Sequence, residues 1–251
     1  KVRAAEKIDF LLENTLLIVA VKITALENSL REIQNKFTDT TTVLLVQNGY
    51  GGKETANRAL SGFVPQENIF QAIAGMGAVL KDPGKLEFYP GGLKAEKAFG
   101  DTDYKNIFDK TFLEYKVLKG LDKAVWKKLI INSIVNPLSV IFRAKNKYIA
   151  SDEYNGLKEA LLNEGRAVAR SEGYGISLSV ADINSYIRSD NRTSMLQDYF
   201  RKRPNEIDFI NGAVIRIGEK NGISVSTNKI IYDIVKNIEK MRLEGNEETG
   251  L

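Results

Sequence analysis

The chain has 251 residues, 43% hydrophobic and 27% charged, a composition typical of a globular protein rather than a disordered one. Lysine and arginine outnumber acidic residues by only 36 to 32, so the charge balance does not indicate nucleic-acid binding. The absence of cysteine and histidine excludes disulfides, cysteine nucleophiles, serine–histidine triads and histidine metal sites. Acid–base chemistry must therefore come from Lys, Glu, Asp or Tyr.

Three further expectations follow from composition. The one basic cluster, at residues 201–203, is predicted to be a solvated helix face. No apolar run approaches the roughly 20 residues that cross a bilayer, and the lack of cysteine fits a reducing compartment, so we expect a cytoplasmic protein with no membrane partner. The chain does not begin with methionine, and we expect that the natural N-terminus is missing.

The first half of the chain alternates apolar strands with helices. The apolar run over residues 16–21 predicts a buried strand that stops at Lys22, and residues 26–37 have helical spacing. A second strand is predicted over residues 40–46, followed by a helix through residues 56–60. Strand, helix, strand and helix at this spacing predict a parallel sheet.

Further along, strands are predicted over residues 68–80 and 86–89, joined by a turn at residues 81–84. A helix capped by Asp101 is then expected over residues 107–115, with a short strand after it over residues 115–118.

The turn at residues 48–52 follows the second predicted strand, at the end of a parallel sheet where ligands bind. Asn48 can both donate and accept hydrogen bonds, and glycines let the backbone approach a ligand closely. A plain glycine-rich turn would have the same sequence. The dinucleotide fingerprint G-x-G-x-x-G is not present, because Glu54 replaces its third glycine and the glycines of residues 75–77 are followed by Leu80.

From about residue 119 long helical periods replace the strands, so we predict domains over residues 1–118 and 119–251. The helices of the second domain are predicted over residues 125–141, 153–171, 180–189, 207–221 and 227–243.

A polar stripe interrupts the first of these helices. Lys128, Asn132 and Asn136 lie at i, i+4 and i+8, and at roughly 100° per residue they share one face. The stripe is either a helix edge that faces water or a surface that presents a cation and two amides to a polar ligand. Glu206, beside a predicted helix start at Asn205, either stabilises the first helical turn or faces the stripe, where a carboxylate would tune the lysine for proton transfer.

Several ordered motifs together resemble the ketopantoate reductase (2-dehydropantoate 2-reductase) family along nearly the whole chain. They are V-A-V-K ending at Lys22, Q-N-G-x-G from Gln47, Ala78 followed by P-G, W-x-K-L-x-x-N-x-x-x-N-P from Trp126, Asn146, S-M-L-Q-D from Ser194, and E-I-D-x-I-N-G from Glu206.

The resemblance implies an α/β Rossmann-type N-terminal domain, incomplete here, and an all-α C-terminal domain, with the active site in the cleft between them. It implies NADPH-dependent reduction of ketopantoate to D-pantoate in pantothenate biosynthesis, by hydride transfer to the C2 carbonyl of this small 2-oxo acid. NAD as the cofactor and a homodimer are left open, and no metal is implied.

The resemblance also implies roles for individual residues. The catalytic residues would be Lys128, as the proton donor, and Glu206, which matches a substrate-binding glutamate. The substrate contacts would be made by Asn132, Asn136, Asn146, Ser194 and Asn48. The cofactor contacts would be made by Lys22, Asn48 and Ala78.

Two departures from the family pattern carry consequences. The opening glycine-loop segment that receives the pyrophosphate is absent, so a complete chain of this length is expected to bind dinucleotides weakly or not at all. Ala25 stands where the family often carries Gln, which removes one hydrogen bond. Two alternatives stay open: a related D-2-hydroxy acid dehydrogenase for branched or aromatic 2-oxo acids that uses NADH, and a non-catalytic module that has lost its glycine loop.

Overall fold

The computed structural model describes residues 5–11, 13–89, 92–95 and 114–245, and all structural statements below refer to these residues. The chain divides into two compact units, Lys1–Leu121 and Asp122–Leu251. No helix in the described ranges is both long and apolar enough to cross a membrane.

The first unit is an α/β unit with one five-stranded sheet. Its described strands are β1 (Leu16–Val19), β2 (Thr42–Leu45), β3 (Ile69–Ala74), β4 (Gly77–Asp82), β5 (Lys85–Tyr89), β6 (Gly92–Ala95) and β7 (Glu114–Val117). The strand order in the sheet is β1-β2-β3-β6-β7. The first three of these strands are parallel, as predicted, whereas β6 runs antiparallel to β3 and parallel to β7.

Within the described residues, two α-helices alternate with the parallel strands β1, β2 and β3. The first, α1 (Leu26–Ile33), buries Leu26 and Leu30, which lie one turn apart on the same face. A 3-10 turn over Gln34–Lys36 extends it, so the helix predicted over residues 26–37 is confirmed with a tighter last turn. The second, α2 (Gly52–Ala59), begins directly after the glycine-rich turn that follows β2.

The strand predicted over residues 68–80 is wrong as a single element. It is divided into β3 and β4 at Gly75, whose N–H donates to the Gly92 carbonyl oxygen at 2.8 Å. Beyond this point the chain leaves the sheet, and β4 pairs with β5 in a separate two-stranded ribbon. The predicted turn between them is confirmed, with Gly84 at a φ of 78°.

Two predictions concern residues that the structure describes only in part. The proposed Asp101 cap and residues 107–113 of the predicted helix lie outside the described residues. Glu114 and Tyr115, the last two residues of that predicted helix, belong to β7 instead, which confirms the short strand predicted from Tyr115.

The regular structure described in the second unit is helical. Its α-helices are α3 (Leu121–Ile141), α4 (Asn146–Ile149), α5 (Asn155–Ser171), α6 (Val180–Ile187), α7 (Ser194–Phe200), α8 (Asn211–Lys220) and α9 (Ser226–Glu244). The five predicted helices are confirmed with shifted ends. The short helices α4 and α7 were not predicted, and the basic cluster at residues 201–203 lies exposed in the turn after α7 rather than on a helix face.

A proline within α3 frees one backbone carbonyl for a tertiary contact. Pro137 has no N–H, so the Ser133 carbonyl, four residues earlier, lacks its usual intrahelical donor. The Asn211 side chain, fully buried at the start of α8, donates to this carbonyl at 2.8 Å. The proline therefore creates an acceptor that ties α3 to α8.

A carboxylate on α5 caps the start of α9. Glu164 accepts hydrogen bonds from the backbone N–H groups of Thr227 at 2.7 Å and Asn228 at 2.9 Å. The Asn228 side chain also donates to Glu164 and accepts from Asn211, which connects the cap to the α3–α8 contact. Burial raises the pKa of Glu164, but the hydrogen bonds from Asn228 and Thr227 outweigh it and the pKa is lowered overall.

Replacing Glu164 with glutamine is expected to lower the free energy of unfolding at neutral pH by about 1–3 kcal/mol, because charge-assisted hydrogen bonds to the α9 cap are lost. A lowered folded pKa means that the carboxylate stabilises the protein fully above its ordinary pKa of 4.5. That stabilisation is lost as the pH falls through the lower folded pKa. Urea denaturation of the wild type and the variant at several pH values measures both effects.

Glu159→Gln is the matched control, since Glu159 is exposed on the same helix. We expect it to change the unfolding free energy by about 0.5 kcal/mol or less. Equal losses in the two variants, or a difference that does not shrink in acid, would contradict a capping role for Glu164.

Candidate active site

Lys128 lies on α3 and is partly exposed. Burial of its ammonium group lowers the pKa of Lys128 to about 8, although the Glu206 carboxylate acts in the opposite direction and raises it. A lysine with this pKa is mostly protonated at neutral pH and releases its proton more readily than an ordinary lysine. These are the properties required of a general acid.

Glu206 is only 7% exposed and immediately precedes a 3-10 turn over Ile207–Phe209. The N-cap position of this turn is Glu206, which makes no side-chain cap hydrogen bond, whereas the Asn205 side-chain oxygen accepts from the Ile207 N–H at 2.8 Å. The electrostatic effect of Glu206 on Lys128 favours the interpretation in which this carboxylate faces the polar stripe.

The polar stripe is not the water-facing edge of α3. The exposed residues of this helix are Asp122, Lys123 and Lys127. Asn132 is only partly exposed, and Asn136 is 6% exposed. The helix therefore holds a cation and two amides at positions that are largely withdrawn from solvent, where polar groups need partners.

Asn146 and Ser194 begin the two short helices that were not predicted. The Asn146 backbone N–H donates to the Asn191 carbonyl at 2.9 Å, which links the start of α4 to the segment before α7. The Asn146 side-chain oxygen is enclosed and has no hydrogen-bond partner in the described part of the chain. Ser194 is the exposed first residue of α7, and Thr193 caps that helix by accepting from the Leu196 N–H at 3.1 Å.

In the first unit, Lys22 and Asn48 follow the carboxyl ends of two neighbouring strands. Because β1 and β2 are parallel, both residues lie at the same edge of the sheet. Gln47 joins the two strand ends, since its side-chain amide donates to the Val19 carbonyl at 2.7 Å. The structure therefore brings Lys22 and Asn48 to one edge.

The turn beside Asn48 depends on glycine. Gly49 and Gly51 have φ angles of 91° and 95°, which other residues rarely adopt. Ala78, the third predicted cofactor residue, lies exposed on the β4–β5 ribbon opposite Phe88 and not on the five-stranded sheet.

Three buried polar residues next to the predicted site were not assigned a role from sequence: Ser139, Thr193 and Asn211. Local signals existed for two of them. Threonine before a helix start predicts an N-cap, and proline four residues after Ser133 predicts a free carbonyl that needs a donor such as Asn211. The described ranges contain no group of three or more acidic side chains that could hold a metal ion.

Two family models match most of the chain. Residues 4–101 match the model described as ketopantoate reductase PanE/ApbA, and residues 121–239 match its C-terminal counterpart. The chain belongs to the ketopantoate reductase family. The resemblance inferred from the motifs is therefore confirmed, as is the fold of a Rossmann-type unit followed by a helical unit, and the chain is placed among oxidoreductases.

Related ketopantoate reductases cover nearly all of the chain at moderate identity. The 2-dehydropantoate 2-reductase of Vibrio cholerae is 28% identical over 241 residues, which are 94% of this chain and 81% of the relative. The enzyme of the same name from Pyrococcus horikoshii is 28% identical over 238 residues, 88% of this chain and 74% of the relative.

Solved structures share the fold. The ketopantoate reductase of the PanE/ApbA family from Ralstonia eutropha has a TM-score of 0.81 at 24% identity, and the match covers 90% of this chain and 76% of that one. D-mandelate dehydrogenase, in a ternary structure with NADH and anilino(oxo)acetate, has a TM-score of 0.78 at 25% identity over 94% of this chain and 79% of that one.

Proposed function

We propose that the chain reduces 2-dehydropantoate to D-pantoate with NADPH, the reductive step of pantothenate biosynthesis. The observation that carries this proposal is the pair of Lys128 and Glu206 in the second unit, where burial lowers the lysine pKa to about 8 beside a carboxylate that is 7% exposed. The relatives named 2-dehydropantoate 2-reductase support the choice of substrate. The cytoplasmic location stays a prediction, and the question of a homodimer stays open.

The chemistry of the lysine follows from its surroundings. Reduction of a 2-oxo acid adds a hydride to the C2 carbon and a proton to the carbonyl oxygen. Lys128 Nζ donates that proton, and its positive charge stabilises the negative charge that develops on the oxygen. Glu206 opposes the effect of burial on the lysine pKa, so that Lys128 stays largely protonated at neutral pH.

The surrounding polar residues orient the substrate. Asn132 and Asn136 share the helix face of Lys128, and their amides can hydrogen-bond the substrate carboxylate and hydroxyl. Asn146 offers an enclosed acceptor that has no partner within the described residues. Ser194, the exposed first residue of α7, supplies a hydroxyl that can donate and accept.

The described part of the first unit fits a nicotinamide dinucleotide. Lys22 and Asn48 would hold it at the carboxyl edge of β1 and β2, and the positive φ angles of Gly49 and Gly51 let the backbone approach it closely. Ala78 on the β4–β5 ribbon is proposed as a third contact. When bound, the dinucleotide supplies the hydride, and we propose NADPH rather than NADH.

A second candidate function is the reduction of a bulkier 2-oxo acid to a D-2-hydroxy acid with NADH. The similarity to D-mandelate dehydrogenase over 94% of this chain favours it. A lysine proton donor and a neighbouring carboxylate would serve both reactions, so the difference must lie in the contacts to the distal part of the substrate.

Steady-state oxidation of NADPH and NADH by the natural full-length protein tests both candidates. The substrates are ketopantoate, phenylglyoxylate and branched 2-oxo acids that lack the distal hydroxyl. The proposal expects a kcat/KM for ketopantoate at least about tenfold above the others, because a site built to bind a hydroxyl rejects analogues without one. A preference for phenylglyoxylate would establish the second candidate, and no turnover of any substrate would leave the non-catalytic module.

A further inference from the structure

Two buried hydroxyl groups connect α3 to the start of α7. The Ser139 side chain lies 2.7 Å from the Asn136 carbonyl oxygen and 2.5 Å from the Thr193 hydroxyl. The Thr193 hydroxyl in turn lies 3.1 Å from the Leu196 backbone nitrogen. Ser139 is 0% exposed and Thr193 is 7% exposed, so water does not compete for these bonds.

The direction of each hydrogen bond in this chain of contacts is determined. A carbonyl oxygen can only accept, so Ser139 uses its single hydroxyl hydrogen on Asn136. Thr193 must therefore donate its own hydrogen to Ser139, and its oxygen accepts from the Leu196 N–H. Both hydroxyls are needed, because removing either one leaves a neighbouring buried polar group without its partner.

We call the paired hydroxyls of Ser139 and Thr193 the hydroxyl relay. Both of its members adjoin residues of the proposed substrate site: Ser139 donates to the Asn136 carbonyl, and Thr193 immediately precedes Ser194. Thr193 also follows closely after Asn191, whose carbonyl holds the backbone of Asn146. The relay thus links the backbone of α3 to the backbone at the start of α7, two segments that are far apart in sequence.

We propose that Thr193 and Ser139 are positioning residues that hold Ser194 and Asn136 in register for the substrate. This inference rests on the proposed function. Both hydroxyls already take part in buried hydrogen bonds within the protein, so we assign them a role through their neighbours. Displacing groups that contact the substrate in the ground state and the transition state alike weakens both, so loss of the relay should appear as a raised KM.

The test compares Thr193→Val, which keeps the shape and removes the hydroxyl, with Thr193→Ser, which keeps the hydroxyl. For ketopantoate, Thr193→Val is expected to raise KM by about tenfold with a smaller change in kcat, since ground-state contacts are displaced. Thr193→Ser is expected to stay within about threefold of the wild type. Ser139→Ala should reproduce the effect of Thr193→Val, and the double variant should be no worse than either single one.

Ser133→Ala is the matched control. Ser133 is also a fully buried serine on α3 whose hydroxyl donates to the carbonyl three residues earlier, at 2.9 Å, and no contact to Thr193 is described for it. A general structural effect would lower the melting temperature in Ser133→Ala and Ser139→Ala alike without changing KM. An unchanged KM in Thr193→Val and Ser139→Ala, or additive losses in the double variant, would overturn the proposal.

Hydrogen exchange separates failure of this inference from failure of the proposed function. The Leu196 amide should exchange about tenfold faster in Thr193→Val and in Ser139→Ala than in the wild type and Ser133→Ala. If the wild type reduces no 2-oxo acid, the proposed function fails, and so does the substrate-positioning role. Unchanged Leu196 exchange in both relay variants would overturn the relay itself.

Discussion

Replacing Lys128 with methionine is expected to lower kcat for 2-oxo acid reduction by a factor of about 10²–10⁴, because the proton donor and its charge are lost together. Methionine fills a similar volume, so the helix should remain folded. Lys127→Met is the matched control, since Lys127 is the exposed neighbour on the same helix and carries the same charge. Steady-state kinetics with both variants measure the difference.

The pH dependence of the wild type provides an independent check on the same residue. A general acid must be protonated, and the pKa of Lys128 is lowered to about 8. We therefore expect kcat/KM to be level below this pH and to fall about tenfold per pH unit above it. A profile that stays level to about pH 10, or equal losses in Lys128→Met and Lys127→Met, would rule out Lys128 as the proton donor.

The Glu206→Gln substitution should shift the pH profile of kcat/KM to lower pH. The Glu206 carboxylate raises the pKa of Lys128, so its removal lowers that pKa further. The decline in kcat/KM is then expected to begin at a lower pH than in the wild type. A profile that moves to higher pH would show that Glu206 does not act on Lys128 in this way.

The second large effect concerns stability and a different lysine. Lys158 on α5 is fully buried, and its ammonium group donates to the carbonyls of Ile149 and Ser151, each at 2.9 Å, and to the Asn184 side-chain oxygen at 2.6 Å. Lys158→Met would remove the donor from two buried acceptors and would leave the partly buried Ser151 carbonyl with only the Tyr154 N–H at 3.4 Å. Because burial also costs the lysine its hydration, we expect a net loss of about 2–4 kcal/mol in the free energy of unfolding.

Lys229→Met is the control for this effect. Lys229 is exposed and pairs with Glu219 at 2.6 Å on the surface of the second unit. Exposed ion pairs contribute little, so the expected loss is about 1 kcal/mol or less. Urea denaturation followed by circular dichroism measures both variants. Similar losses for the two lysines would mean that the buried hydrogen bonds of Lys158 contribute no more than a surface pair.

The sequence predicted the arrangement of the candidate site residues only in part. The spacing of Lys128, Asn132 and Asn136 predicted one helix face, because the helical period is a local property. The sequence left open whether Glu206 stabilises a helical turn or faces this stripe, and its electrostatic effect on Lys128 emerged only from the structure. The relay partners Ser139 and Thr193 are separated by 54 residues, a distance that no local pattern bridges.

The sequence by itself determined the local elements of this protein: the parallel strands β1 and β2, the long helices of the second unit and the motifs that identify the family. Periodic burial and capping residues specify such elements over short stretches. Only the tertiary structure decided that the strand predicted over residues 68–80 is divided and that Asn211 bonds the carbonyl freed by Pro137. It also decided that Lys158 is buried with three acceptors. Each of these outcomes depends on which group from a distant part of the sequence the fold places nearby. A buried polar atom needs a hydrogen-bond partner, and the local sequence does not specify that partner.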